Sequence, residues 1–300
     1  ACQPQITANS LTCNPTSYVT PDAPNTHLFA DGVHPTSRAH QILSQYAISV
    51  LEAPRQIAVL PHATAVVGRA RADRVSGHLA GKPAGDGMRW WVDARADFQR
   101  YDSGNNYDGV GPTLTGGVDW TSGNFVYGGF AGFGHNAYDF GLRGGDFDQT
   151  EATLGGFAGW YGEHAWVNGQ LSYTFASYDV NRDVVLGPVT RTHSGSPDGN
   201  NLSFGVNAGY NLGGEALTHG PVASVLIQRI DVDGYAEDQP TLSTSLAYPD
   251  QTFDSMITSL GWQASYEIND HLAPYARMTW DVEHEDAAAE AFARSQSIAG

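Results

Sequence analysis

An aspartate and a histidine three residues apart are the pair in this sequence best suited to catalysis. They lie in Phe29-Ala30-Asp31-Gly32-Val33-His34-Pro35-Thr36. A carboxylate at that spacing can orient an imidazole, and an oriented imidazole can take the proton of a serine hydroxyl during ester hydrolysis. The spacing alone is only moderately specific. It also suits an ordinary loop in which Asp31 caps a turn and His34 lies at the surface.

The segment up to about residue 35 reads as a loop, rich in Pro, Thr, Asn and Asp. Pro35-Thr36-Ser37 then opens a helix expected to run to about Glu52. Its apolar positions Ile42, Leu43, Tyr46, Ala47, Val50 and Leu51 recur at three- and four-residue spacing, and Pro54 is expected to end it. A second helix is expected over about 63–79, after Pro61, with Lys82-Pro83-Ala84-Gly85-Asp86-Gly87 breaking it. The two cysteines, Cys2 and Cys13, lie close together with no histidine at zinc-ligand spacing. A disulfide across that short loop, worth about 3 kcal/mol, is the expectation set against two free thiols. Such a bond belongs in an oxidising compartment.

Charge is spread unevenly along the chain. The net charge is −17, which argues against nucleic acid as a partner because phosphate binding needs clustered Lys and Arg. Within that acidic chain, residues 54–82 hold Arg55, Arg69, Arg71, Arg74 and Lys82 against the single acid Asp73. A basic helix in an acidic protein implies an internal electrostatic partner; a solvated linker helix is the plainer alternative.

From Arg89 the sequence period becomes two. Trp90, Val92, Ala94, Ala96 and Phe98 share one face, while Arg89, Asp93, Arg95, Asp97 and Gln99 share the other. The same alternation returns at 167–175, 202–212, 260–268 and 276–282, and less cleanly near 111–121, 125–136, 151–161 and 222–232. About nine candidate strands result, many near the ~9–11 residues that a tilted strand needs to cross a bilayer. Tight turns at Gly123-Asn124, Gly162-Glu163 and Asn269-Asp270 alternate with longer polar stretches at 181–200 and 234–250. No run approaches a transmembrane helix. Aromatic residues near strand ends and charges on the opposite faces indicate an antiparallel transmembrane β-barrel with a polar lumen, rather than a soluble sandwich. A basic helix threading that lumen, self-satisfied in its hydrogen bonds, would set Arg69, Arg71 and Arg74 against inward Asp93, Asp97, Asp281 and Glu283.

The Asp31–His34 segment, with Ser37-Arg38-Ala39-His40 and the helix after it, resembles the last conserved block of the GDSL (SGNH) esterases and lipases. Followed by a basic linker helix and a barrel, the whole chain resembles the GDSL-type esterase autotransporters. The resemblance implies a cell-surface hydrolase of fatty-acid esters, an α/β SGNH fold for the passenger, and Asp31 and His34 as two members of a Ser-His-Asp triad. It implies residues 1–53 as the passenger's end, 54–87 as a linker in the lumen, and 88–300 as the barrel. It also implies outer-membrane lipid and the barrel assembly machinery as partners, and no cofactor or metal. The nucleophile block Gly-Asp-Ser does not occur: Gly85-Asp86 precedes Gly87, and Asp102-Ser103-Gly104 falls in an expected barrel loop. Nor are the family's oxyanion-hole Gly and Asn blocks found. The beginning at Ala1 and the end at Ser297-Ile298-Ala299-Gly300, without a terminal aromatic residue, are read as cuts. On that reading roughly three strands follow Gly300 and this piece alone is inactive. A barrel translocator or pore carrying a vestigial passenger is the alternative.

Overall fold

The computed structural model describes residues 1–2, 10–81, 86–214, 216–268, 274–285 and 291–297. The expected break at Lys82–Gly85, the turn at Asn269-Asp270 and the end at Ile298–Gly300 lie outside the described residues. A short helix α1 (Ala23–Thr26) precedes two long ones, α2 (Ser37–Ile57) and α3 (Val59–His78). The strands are β1 (Gly87–Tyr101), β2 (Tyr107–Ser122), β3 (Phe125–Asp139), β4 (Gly145–Tyr161), β5 (Ala165–Leu186), β6 (Val189–Gly195) and β7 (Asp198–Tyr210). They continue as β8 (Leu212–Gly213), β9 (Leu217–Val232), β10 (Tyr235–Ala236), β11 (Leu246–Tyr248), β12 (Gln251–Tyr266), β13 (Tyr275–Glu283) and β14 (Arg294–Ser295).

The main sheet is antiparallel and follows chain order, β1-β2-β3-β4-β5-β7-β9-β12-β13, with β6 paired to β5 and β8 to β9. It curls around α3. Among the described residues β1 and β13 are its edges. Alternation sets the two surfaces, since successive side chains in a strand point opposite ways. On β5, Val167, Leu171 and Phe175 face outward and are exposed, while Trp166, Asn168, Gln170 and Thr174 face α3 and are buried. Trp90, Trp120, Phe125, Tyr127, Trp160 and Tyr210 are exposed near the end where Gly123-Asn124 and Gly162–His164 make the turns, the placement of an interfacial aromatic girdle. No described helix is long and apolar enough to cross a membrane.

Two sequence expectations change. Pro54 does not end α2, which continues to Ile57, and α3 begins at Val59. Pro54 removes one amide donor, but its carbonyl still accepts from Ala58 at 3.0 Å and the neighbouring Ala53 and Ile57 are fully buried. Pro61 lies in the first turn of α3, where the amide it lacks has no partner within the helix. The stretches at 181–200 and 234–250 are not simple loops either. Val180–Leu186 and Val189–Gly195 pair as a hairpin extending β5 far past a membrane-crossing length, and β11 pairs with β10 and with β14 in a small separate sheet. Alternation at Val180, Arg182 and Val184 continues the inward face of β5, so pairing persists beyond the barrel wall.

The lumen is apolar at both ends and polar in the middle. Toward α2, Ile57, Leu60 and Ala63 pack with Tyr107, Tyr138, Phe147 and Tyr178. At the turn end Val75 and Leu79 pack with Val126, Phe130, Phe157 and Trp166. Wall contacts around most of α3, with only Asp73 and Gly77 exposed along it, explain why it carries no single apolar stripe.

Candidate functional site

The loop before α2 is built around the Asp31 carboxylate. Its Oδ1 accepts the backbone amides of Val33 at 2.9 Å and His34 at 2.8 Å. Oδ2 lies 2.7 Å from His34 Nδ1. An ionised carboxylate can only accept, so Nδ1 carries a proton, and in the neutral imidazole Nε2 keeps its lone pair. Asp31 is 7% exposed and His34 58%. The carboxylate is thus fixed from behind while the imidazole faces outward, the arrangement of a base awaiting a hydroxyl. Among the described residues no serine makes a hydrogen bond to His34.

The surrounding chain locks this loop. Ala30 donates to the carbonyl of His34 at 2.8 Å, and Thr36 to that of Leu28 at 3.0 Å. The Thr36 hydroxyl donates to the His27 carbonyl at 2.8 Å and accepts from the Ala39 amide, capping α2. Cys2 and Cys13 form a disulfide with Cα atoms 5.7 Å apart. The Cys2 amide donates to the Ala30 carbonyl at 3.0 Å, one residue from Asp31. The disulfide therefore steadies the segment that carries the carboxylate.

The second candidate site is the lumen. Arg69 pairs with Asp281, and Arg74 pairs with Asp97 and, at 3.4 Å, with Asp93. The structure brings these predicted groups together, but not Glu283, which accepts instead from the Ser255 hydroxyl and the Met256 amide. Arg71 has a partner that the sequence reading missed. Its Nη2 lies 2.5 Å from Glu151 Oε1, its Nη1 donates to Thr153 at 2.6 Å and its Nε to Thr115 at 3.4 Å. Gly132 leaves the space for this guanidinium, since a Cβ there would collide with Arg71 Nε. The available signal was the unbroken polar run Gln149, Glu151, Thr153 on one face of β4. Asp119 was missed as well; it is fully buried and receives both His78 at 2.7 Å and Arg89 at 2.8 Å. Wall side chains also serve the helix backbone: Gln228 donates to Ala65, Gln170 to Ala72, and Tyr161 to Leu79.

Above the lumen, Arg182 is buried and bidentate on Glu237 at 2.6 and 2.7 Å. Burial opposes its charge, but the hydrogen bond to Glu237 and the electrostatic pull of Tyr248, Glu237 and Tyr235 together raise its pKa. Burial also drives the Tyr235 and Tyr248 hydroxyls upward, while the Ser194 amide holds Asp238 below the usual carboxylate range.

The family model for the autotransporter β-domain matches residues 90–300. Esterase EstA of Pseudomonas aeruginosa is 28% identical over 302 aligned residues, covering 94% of this chain and 46% of that protein. Lipase 1 of Photorhabdus luminescens is 27% identical, covering 95% and 43%. The chain spans less than half the length of these curated relatives. Among solved structures, the translocator domain of NalP from Neisseria meningitidis superposes with a TM-score of 0.67 at 16% identity, covering 77% of this chain and 80% of that one. The β-domain of the Bordetella autotransporter BrkA gives 0.53 at 19%, covering 68% and 81%. At those identities the likeness shows the fold.

Proposed function

We propose, from the premise that this chain belongs to the autotransporter β-domain family, that it carries the back half of a serine ester hydrolase and anchors that hydrolase at the cell surface. Proteins of this family sit in the bacterial outer membrane with their passenger outside. On this reading residues 1–53 end the passenger, 54–87 link it through the lumen and 88–300 form the barrel.

The observation that carries the proposal is the Asp31–His34 geometry. The doubly anchored carboxylate fixes the Nδ1–H tautomer, leaving Nε2 to accept a proton from a serine hydroxyl. As that serine attacks an ester carbonyl, the imidazole becomes a cation, which the carboxylate 2.7 Å away stabilises. The imidazolium then returns its proton to the leaving alcohol. A Gly-Asp-Ser block upstream of Ala1 would supply the nucleophile, and the residues present here are inactive without it. The names of the relatives, an esterase and a lipase, agree with this chemistry. Burial of most of α3 against the wall, with Arg71 2% exposed, favours an anchor with a filled lumen over an open pore.

Intact mass and N-terminal sequencing of the native protein from outer membranes test the proposal. It expects a mature chain several hundred residues longer with a Gly-Asp-Ser near its start. A mature chain beginning at Ala1 would leave Asp31 and His34 without a nucleophile and overturn the hydrolase reading.

A further inference from the structure

We infer that the surface loops of the barrel form a clasp on α2 that holds the helix, and the Asp31–His34 loop at its start, in one pose over the membrane. The contacts follow a single stripe of the helix. Residues 38, 42, 45, 49, 52 and 56 recur at alternating spacings of about four and three, which is one face of an α-helix, and each of them meets a loop or, for Ser49, the extended end of β5.

At the tip of the β5–β6 hairpin, the Gly187 amide donates to Gln45 Oε1 at 2.7 Å. Gly187 has φ +64°, and a Cβ there would lie 2.9 Å from Ile42 Cδ1 and 3.4 Å from the Arg38 guanidinium. Glycine therefore serves both the turn and the close approach. The 140–144 loop grips the other end of the stripe: Gln56 donates to the Gly144 carbonyl at 2.8 Å, and Arg143 lies 3.2 Å from Glu52. Beside the stripe, Tyr46 donates to the Ser243 carbonyl at 3.3 Å, reaching a third loop. Arg182 ties these loops together. It binds Glu237, donates to the Thr244 carbonyl at 2.7 Å and reaches the Ser49 carbonyl of α2 at 3.4 Å.

Apart from Ile42, which also belongs to the apolar stripe, this face of α2 is polar, and the sequence reading passed over its polar residues. A polar stripe matched by loop amides, carbonyls and an arginine is a docking surface between the hydrolase end and the barrel. Its span of ~19 residues covers close to 30 Å of helix. A single covalent tether at Ala58 would not need it. The functional consequence rests on the hydrolase reading; the clasp itself does not.

The test is a distance measurement on the full-length protein in outer-membrane vesicles. Spin labels replace Ser44 and Asp108, while Cys2 and Cys13 remain oxidised. The unmodified clasp should give one narrow distance distribution. A Gln45→Ala, Glu52→Ala, Gln56→Ala triple variant should at least double its width, with the heat-modifiable band of the folded barrel unchanged. Arg182→Met should broaden it in the same way, and the triple variant carries the test if Arg182→Met does not fold. An equally narrow distribution in the triple variant, or a broad one in the parent, would overturn the clasp. Absence of turnover on a water-soluble ester, alongside the expected broadening, would remove the hydrolase reading and leave the clasp standing.

Discussion

Two close polar pairs in this molecule have similar lengths and, on the proposed reading, opposite uses. Arg71 and Glu151 lie 2.5 Å apart, 2% and 0% exposed; Asp31 and His34 lie 2.7 Å apart, with the histidine 58% exposed. In the lumen both partners are desolvated, and three wall side chains occupy the guanidinium. All of that interaction goes into holding α3 in place. At the surface only the carboxylate is immobilised, and one imidazole nitrogen stays open. On the proposed reading, geometry within the pair does not separate a structural lock from a reactive dyad. Burial of the second partner does.

That contrast can be broken at its lumenal side first. Arg71→Met leaves Glu151 as a buried charge without its cation and should cost about 3–5 kcal/mol of barrel stability. Denaturant unfolding in detergent would read the loss. Replacing both residues, Arg71→Met with Glu151→Met, should recover most of it, because the penalty is the orphaned charge rather than the missing attraction. A double variant as unstable as the single one would contradict this account.

The surface side is sharpened by the disulfide. Reducing the Cys2–Cys13 loop, a separation of 11 residues, should remove up to about 3 kcal/mol from the segment behind Asp31. The temperature of half-inactivation of ester turnover should fall, while the folded-barrel band stays where it was. A shifted band would show that the two regions are not independent. The smallest effect belongs to Arg69 and Asp281, 38% and 32% exposed. Solvent screens such a pair, so Arg69→Ala should change stability by no more than about 1 kcal/mol in the same unfolding assay. A loss as large as that of Arg71→Met would mean that burial is not what distinguishes these arginines.

Much of this was legible in the sequence, and the rest was hidden for definite reasons. Period-two alternation from Arg89 announces the strands because one face meets apolar surroundings and the other the helix. The basic residues of α3 announce acidic partners in general but not Glu151, because a strand sequence does not say which wall position meets which helical turn. Pro54 suggested a helix end because local propensity knows nothing of the barrel mouth that buries Ala53 and Ile57. The clasp was invisible for a related reason: a polar stripe on an exposed helix looks like solvated surface until the loops that match it are placed. Asp31 and His34 could be read as a pair because their chemistry depends on a three-residue spacing. The nucleophile proposed to act with them was not legible, since no Gly-Asp-Ser block occurs in this sequence.

The most direct test of the central claim is ester turnover by intact cells displaying the full-length protein, with and without His34→Ala, and with surface display measured in parallel. A passenger hydrolase that uses this dyad predicts a loss of at least about a thousandfold at equal display. Turnover near that of the unaltered protein would take His34 out of the mechanism and contradict the account.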